Sequence, residues 1–128
     1  MDNRGYQAYR DQAVNAVDTM SQGELLLKLY DELVKRLTRA ELALDKEDYS
    51  LMEASVDRGV DIIHYLDDTL DPQYPISHDL TRLYEYFCFE LQRVKAGRNR
   101  TELERVKKMS CELRDAFREA HHNTEGGT

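Results

Sequence analysis

Both prolines of this 128-residue chain fall in one short stretch, Asp71-Pro72-Gln73-Tyr74-Pro75. A proline lacks the donor that a helix interior needs and pushes its predecessor out of helical geometry. The segments on either side are therefore free to run as long helices. With only six glycines, the chain also has too little punctuation for a many-stranded fold. All-α is the expected class, and the length suits one core rather than two.

Apolar spacing supplies the elements. Ser21-Gln22-Gly23-Glu24 reads as a capping box. At about 100° per residue, Leu26, Leu29, Tyr30, Leu33, Leu37, Ala40 and Leu44 then share one face, and the periodicity persists to about Asp45. After the polar break 45–48, Met52, Val56, Gly59, Ile63, Leu66 and Leu70 line a second helix, widened by Val60 and Ile62. Ser77 is the expected cap of a third helix, with Leu80, Leu83, Tyr84, Phe87, Leu91 and Val94 inward and a left-handed end at Ala96-Gly97. Thr101 and Glu104 form a second capping box for a fourth helix carrying Val106, Met109, Leu113, Ala116, Phe117 and Ala120 inward.

Four such helices with short connections pack most simply as an antiparallel up-down four-helix bundle. The expected organisation is an N-terminal arm or short helix over 1–20, a single bundle domain over 21–120 and a disordered tail over 121–128. In the arm, Tyr6, Tyr9, Ala13, Val17 and Met20 fall at helical spacing, so it either docks as a fifth short helix or wanders.

The net charge of -7 opposes nucleic acid and acidic lipid as partners. It is unevenly placed. Residues 93–118 hold nine Lys or Arg against four acids, a local +5 that leaves -12 on the rest. Such a segment either complements an acidic face of its own bundle or offers a patch to an acidic partner. Cys88 and Cys111 sit inside helical patterns rather than at framework or zinc spacing, which fits a reducing cytoplasm. No apolar run approaches a membrane span or follows a charged start, so neither direct membrane insertion nor a cleaved signal is expected.

The stretch Leu83-Tyr84-Glu85-Tyr86-Phe87-Cys88-Phe89-Glu90-Leu91 carries more apolar surface than one core-facing stripe requires. With Leu80 as origin, Tyr84, Phe87 and Leu91 lie within about 40° of the core, Phe89 lies at about 180° and Tyr86 at about 240°. Tyr65 is displaced by about 220° from Met52, and Leu42 by about 160° from Leu26. Single exposed apolar residues are ordinary. Several on neighbouring helices would make a binding patch, either for amphipathic helices of another protein or for a twin subunit.

Asp57, Asp61, His64 and Asp68 share a stripe, and Asp61-x-x-His64 with Glu119-x-x-His122 imitates the spacing of di-iron bundles. That stripe points about 120° to 180° away from the core, where bundle metals do not sit. A solvated acidic face is expected, with no metal and no cofactor. His78 has no evident nucleophile beside it, and no glycine-rich phosphate loop precedes a helix. Nothing in the sequence supports catalysis.

Val17-x-Thr19-Met20-Ser21-Gln22-Gly23-Glu24-Leu25 followed by Leu29-Tyr30-Asp31 resembles the opening of the FliS family of flagellar secretion chaperones. Leu83-Tyr84-Glu85-Tyr86 is similar to that family's internal tyrosine motif, Leu113-Arg114-Asp115-Ala116-Phe117 to its closing motif, and Ile62-Ile63-x-x-Leu66-x-x-Thr69-Leu70-Asp71 to its second helix end. The likeness spans roughly residues 6–120 in the family's order. Gln22 and Gly23 stand where the family has proline and glutamate, Phe117 replaces a tryptophan, and Tyr9 lies about three residues farther from Val17 than usual.

The resemblance implies a cytoplasmic helical bundle that binds the disordered C-terminal region of flagellin, prevents early polymerisation and escorts it to an export-gate membrane protein. On that expectation Leu42, Tyr65, Tyr86 and Phe89 contact the client, while Tyr6 and Tyr9 gate the groove. The alternative is a structural or adaptor bundle that forms a homodimer through the same patch.

Overall fold

The computed structural model of the protein describes residues 22–126, which are all-helical, with four helices and no strand among them. The helices are α1 (Gln22–Asp45), α2 (Tyr49–Asp68), α3 (Ile76–Gly97) and α4 (Arg100–Gly126). Around the bundle, α1 packs against α2 and α4, and α3 closes the ring against the same two, so α1 and α3 are diagonal.

Periodicity marked the core well. Tyr30, Leu33, Leu37, Ala40, Met52, Val56, Ile63, Leu66, Leu80, Tyr84, Phe87, Leu91, Val94 and Val106 are all buried. The hydroxyls of Tyr30 and Tyr84 meet across the diagonal at 2.6 Å. Each gives the other's polar tip the partner that a buried phenol requires. Burial, before any other cause, pushes both phenols above the usual tyrosine range. Gly59 lets α1 approach α2 closely, since a Cβ there would lie 3.3 Å from Leu37 Cδ2.

The helix ends depart from the sequence expectation. Ser77 does not cap α3: its Oγ donates backwards to the Tyr74 carbonyl at 2.7 Å, and Pro75, already at helical φ and ψ, precedes the first turn. The left-handed residue after α3 is Arg98, at φ 53°, not Gly97. That conformation costs a non-glycine residue about 1–2 kcal/mol. Arg98 places its guanidinium 3.5 Å from the ring centroid of Tyr49, a cation–π contact of about 0.5–2 kcal/mol that offsets much of it. Asn99, rather than Thr101, caps α4 by accepting from the Glu102 backbone N–H at 3.1 Å, in keeping with asparagine's stronger capping preference. Asp48 caps α2 in the same way through the Leu51 N–H, 3.2 Å away.

Two further expectations on α4 are corrected. The helix runs to Gly126, so residues 121–126 are helical rather than tail. Ala116 and Ala120 are exposed, whereas Leu103, one turn earlier than the expected face began, is fully buried. The first capping residue, Ser21, and the arm over 1–20 lie outside the described residues.

Candidate binding surface

Three of the four bundle residues singled out as an outer apolar set are exposed: Leu42 at 56%, Tyr65 at 51% and Phe89 at 63%. Tyr86 is half-buried, packed on the core with its ring centroid 6.2 Å from that of Phe87. The set does not form one groove. Leu42 projects from α1 and Phe89 from α3, which are diagonal, and Tyr65 stands on α2 between them. Tyr6 and Tyr9 lie outside the described residues.

Ion pairs and side-chain hydrogen bonds bridge two of the four helix seams. Between α1 and α4, Asp31 near the start of α1 pairs with Arg114 and Arg118 late in α4. Glu41 and Asp45 late in α1 pair with Lys107 and Arg100 early in α4. Glu41 is only 6% exposed and takes Lys107 on one oxygen and Arg100 on the other. Between α2 and α3, Lys95 bonds Asp57 at 2.6 Å and Thr81 bonds Asp67 at 2.9 Å. Beside the seam of α3 and α4, Glu90 pairs with Arg93 within α3 and Glu102 with Arg105 within α4. The bases of 93–118 are thus largely matched by acids of the same chain.

Among the described residues, one end of the bundle is open. A cavity of about 660 Å³ lies between the first turns of α1 (Gly23, Leu25, Leu26, Leu29), the loop after α2 (Thr69, Leu70, Asp71, Tyr74) and the start of α3 (Ile76, Ser77, Leu80), with Phe117 of α4 in its wall. Tyr74 and Ile76 stand at 63% and 58% exposure. Tyr65 is one helical turn before Thr69, so it flanks this end. Sequence reading missed Tyr74 and Ile76, because they bracket Pro75 where no periodicity assigns a face. The one signal available was two large apolar residues beside a proline loop.

Gly23 has a specific use here. A Cβ at that position would collide with the imidazole of His121, so glycine lets the far end of α4 close over the start of α1.

Little else offers chemistry. Burial, and then the charge of Asp67, push the Cys88 thiol above its usual value, which suppresses its thiolate. Asp57, Asp61, His64 and Asp68 are exposed, and Asp57 is taken by Lys95. Among the described residues, no group of three or more His, Cys, Asp or Glu is placed to hold a metal ion. No helix among them is long and apolar enough to cross a membrane.

The sequence model of the family described as "Flagellar protein FliS" matches residues 4–124. The flagellar secretion chaperone FliS of Bacillus subtilis (strain 168) is 27% identical over 115 residues, which are 90% of this chain and 84% of that protein. Segments remote in sequence that carry the resemblance meet in space. Tyr30 bonds Tyr84, stacks on Phe117 at 5.5 Å between centroids, and is followed by Asp31, 3.8 Å from Arg114. The motif residues therefore hold α1, α3 and α4 together, and with the match along nearly the whole chain they show that the protein belongs to the FliS family.

Proposed function

We propose that the protein is a flagellar export chaperone that binds the disordered C-terminal region of flagellin in the cytoplasm, prevents premature polymerisation and delivers it to an export-gate membrane protein. The observation that carries this reading is the distribution of apolar surface: a cavity at one end, and exposed Leu42, Tyr65 and Phe89 on three successive sides. A rigid partner reaches one side of a bundle at a time, whereas an extended chain can engage several in turn. Ordering such a chain costs roughly 1–2 kcal/mol per residue in backbone entropy. Many modest apolar contacts, over roughly 2,000 Å² or more, suit that requirement better than one hot spot.

In this reading Leu42, Tyr65, Tyr86 and Phe89 touch the client, and the cavity takes one of its apolar side-chain clusters. The arm over 1–20, bearing Tyr6 and Tyr9, joins α1 beside the cavity-lining Gly23 and Leu25. In this reading the arm gates entry there. The bundle is read as antiparallel and up-down, supported by the crossed order of the α1–α4 ion pairs. No nucleotide takes part, and release comes from handover at the export gate.

Titration calorimetry with a peptide covering the flagellin C-terminal region tests the reading, and saturable one-to-one binding is expected. Absence of binding, together with a dimer that persists on dilution in light scattering, would replace it with the adaptor alternative.

A further inference from the structure

We propose that Glu90 and Glu102 share a single proton in the folded protein, making the seam between α3 and α4 a proton-linked latch. Glu90 is only 5% exposed, although it is a carboxylate in the middle of a helix. The side chain of Glu102, in the first turn of α4, is 14% exposed. The two carboxyl groups come within hydrogen-bonding reach of each other. Two ionised carboxylates are acceptors only and cannot make that bond.

A second observation points the same way. Glu102 Oε1 accepts from Arg105 at 3.0 Å, but Oε2 is buried with no hydrogen-bond partner. An orphaned buried acceptor is costly. One proton between the carboxyls supplies the missing donor and removes the repulsion of two like charges. The hydrogen bond with Glu90, and then loss of water, hold the Glu102 carboxyl above the usual carboxylate range, against the opposing pull of Arg105 and Arg93. These two arginines, one on each helix, are the charges that act on the seam. Asp57 and Asp67 of α2 are engaged with Lys95 and Thr81 on the other flank of α3.

The pH dependence has a definite sign. A carboxyl whose folded value is raised contributes stability that is fully present below its unfolded value, about 4.3 for glutamate. That contribution is lost as pH rises through the folded value. Acid tightens the latch and neutral pH loosens it. Glu90 follows Tyr86 by one helical turn and is adjacent to Phe89, so the latch sits beneath the apolar edge of α3.

Thermal midpoints of the full chain, measured between about pH 4 and pH 8, test it against Glu102→Gln, whose amide supplies the donor without a proton from solvent. The variant should match the wild type at the acidic end and exceed it by a margin of a few degrees that grows with pH and then levels. Glu90→Gln should flatten the difference in the same way. Parallel curves would overturn the proposal. Carboxyl ¹³C NMR of the wild type gives a readout independent of either variant folding: one glutamate should keep its proton well above the others. Ordinary titration of every glutamate would overturn the latch.

Discussion

The two ends of the bundle solve opposite problems. At one end, where α1 turns into α2 and α3 into α4, everything is tied: Arg98 covers Tyr49, Asn99 and Asp48 cap their helices, and Arg100 with Lys107 grips Glu41. At the other, where α2 gives way to α3, the chain leaves a cavity of about 660 Å³ rimmed by exposed Tyr74 and Ile76. The tying contacts lie away from the surface proposed to receive the client. Changes toward the tied end and the core should therefore cost folding free energy and spare binding, and changes at the open end should do the reverse.

The largest stability effect belongs to the core between the ends. Leu37→Ala removes a fully buried side chain packed at Gly59, and should cost about 2–5 kcal/mol in chemical denaturation. Next is the tied end. The double variant Arg100→Ala/Lys107→Ala strands Glu41, at 6% exposure, without a cation, and about 3 kcal/mol should be lost. Peptide affinity of the folded fraction should stay unchanged in both. A matching fall in affinity would show that the two ends are not independent.

Tyr84→Phe is milder. It leaves the Tyr30 hydroxyl buried without its 2.6 Å partner, a loss of about 1–3 kcal/mol. Because those tyrosines belong to the segments that resemble the FliS motifs, the variant also separates a fold-bearing role from client contact. A loss of affinity larger than the loss of stability would reverse that assignment.

How much of this was legible depended on range. Buried faces such as Met52, Val56, Ile63 and Leu66 follow from local spacing, because a helix repeats its angle every residue whatever lies beside it. The outward directions of Leu42, Tyr65 and Phe89 followed from the same angles. Tyr86 did not, since at 240° it still packs against the core and becomes half-buried. Helix ends were least legible. Arg98, which turns left-handed in place of Gly97, meets Tyr49, nearly fifty residues away, and the last turns of α4 close on Gly23 at the far end of the sequence. The cavity, assembled from three helices and a loop, has no periodic signature at all.

Gly23→Glu introduces the residue that the resemblance implies at this position and forces a side chain into the space of His121. The expected cost is about 1 kcal/mol or less, with faster hydrogen exchange in the last turns of α4. Pairing the change with His121→Ala should relieve the collision. Failure of that rescue would mean that glycine is there for some reason other than the room it leaves.

The smallest stability effect should accompany the largest effect on binding. Tyr74 and Ile76 are mostly solvated, so Tyr74→Ala/Ile76→Ala removes little buried surface and should alter stability by about 0.5 kcal/mol per site or less. Yet both side chains rim the cavity. If a client side-chain cluster enters there, deleting them removes apolar contact made only in the complex, and affinity should fall by about tenfold, equivalent to 1.4 kcal/mol. Phe89→Ala, on the diagonal side from α1, is the control for a client that wraps. It should weaken binding by a smaller factor, additive with the double variant, because Phe89 is well removed from Ile76 along α3. Additive losses would join the open end and the α3 face as parts of one continuous path. An effect at Phe89 with none at the cavity would confine the client to the side of the bundle, leaving the open end to the chain's own arm.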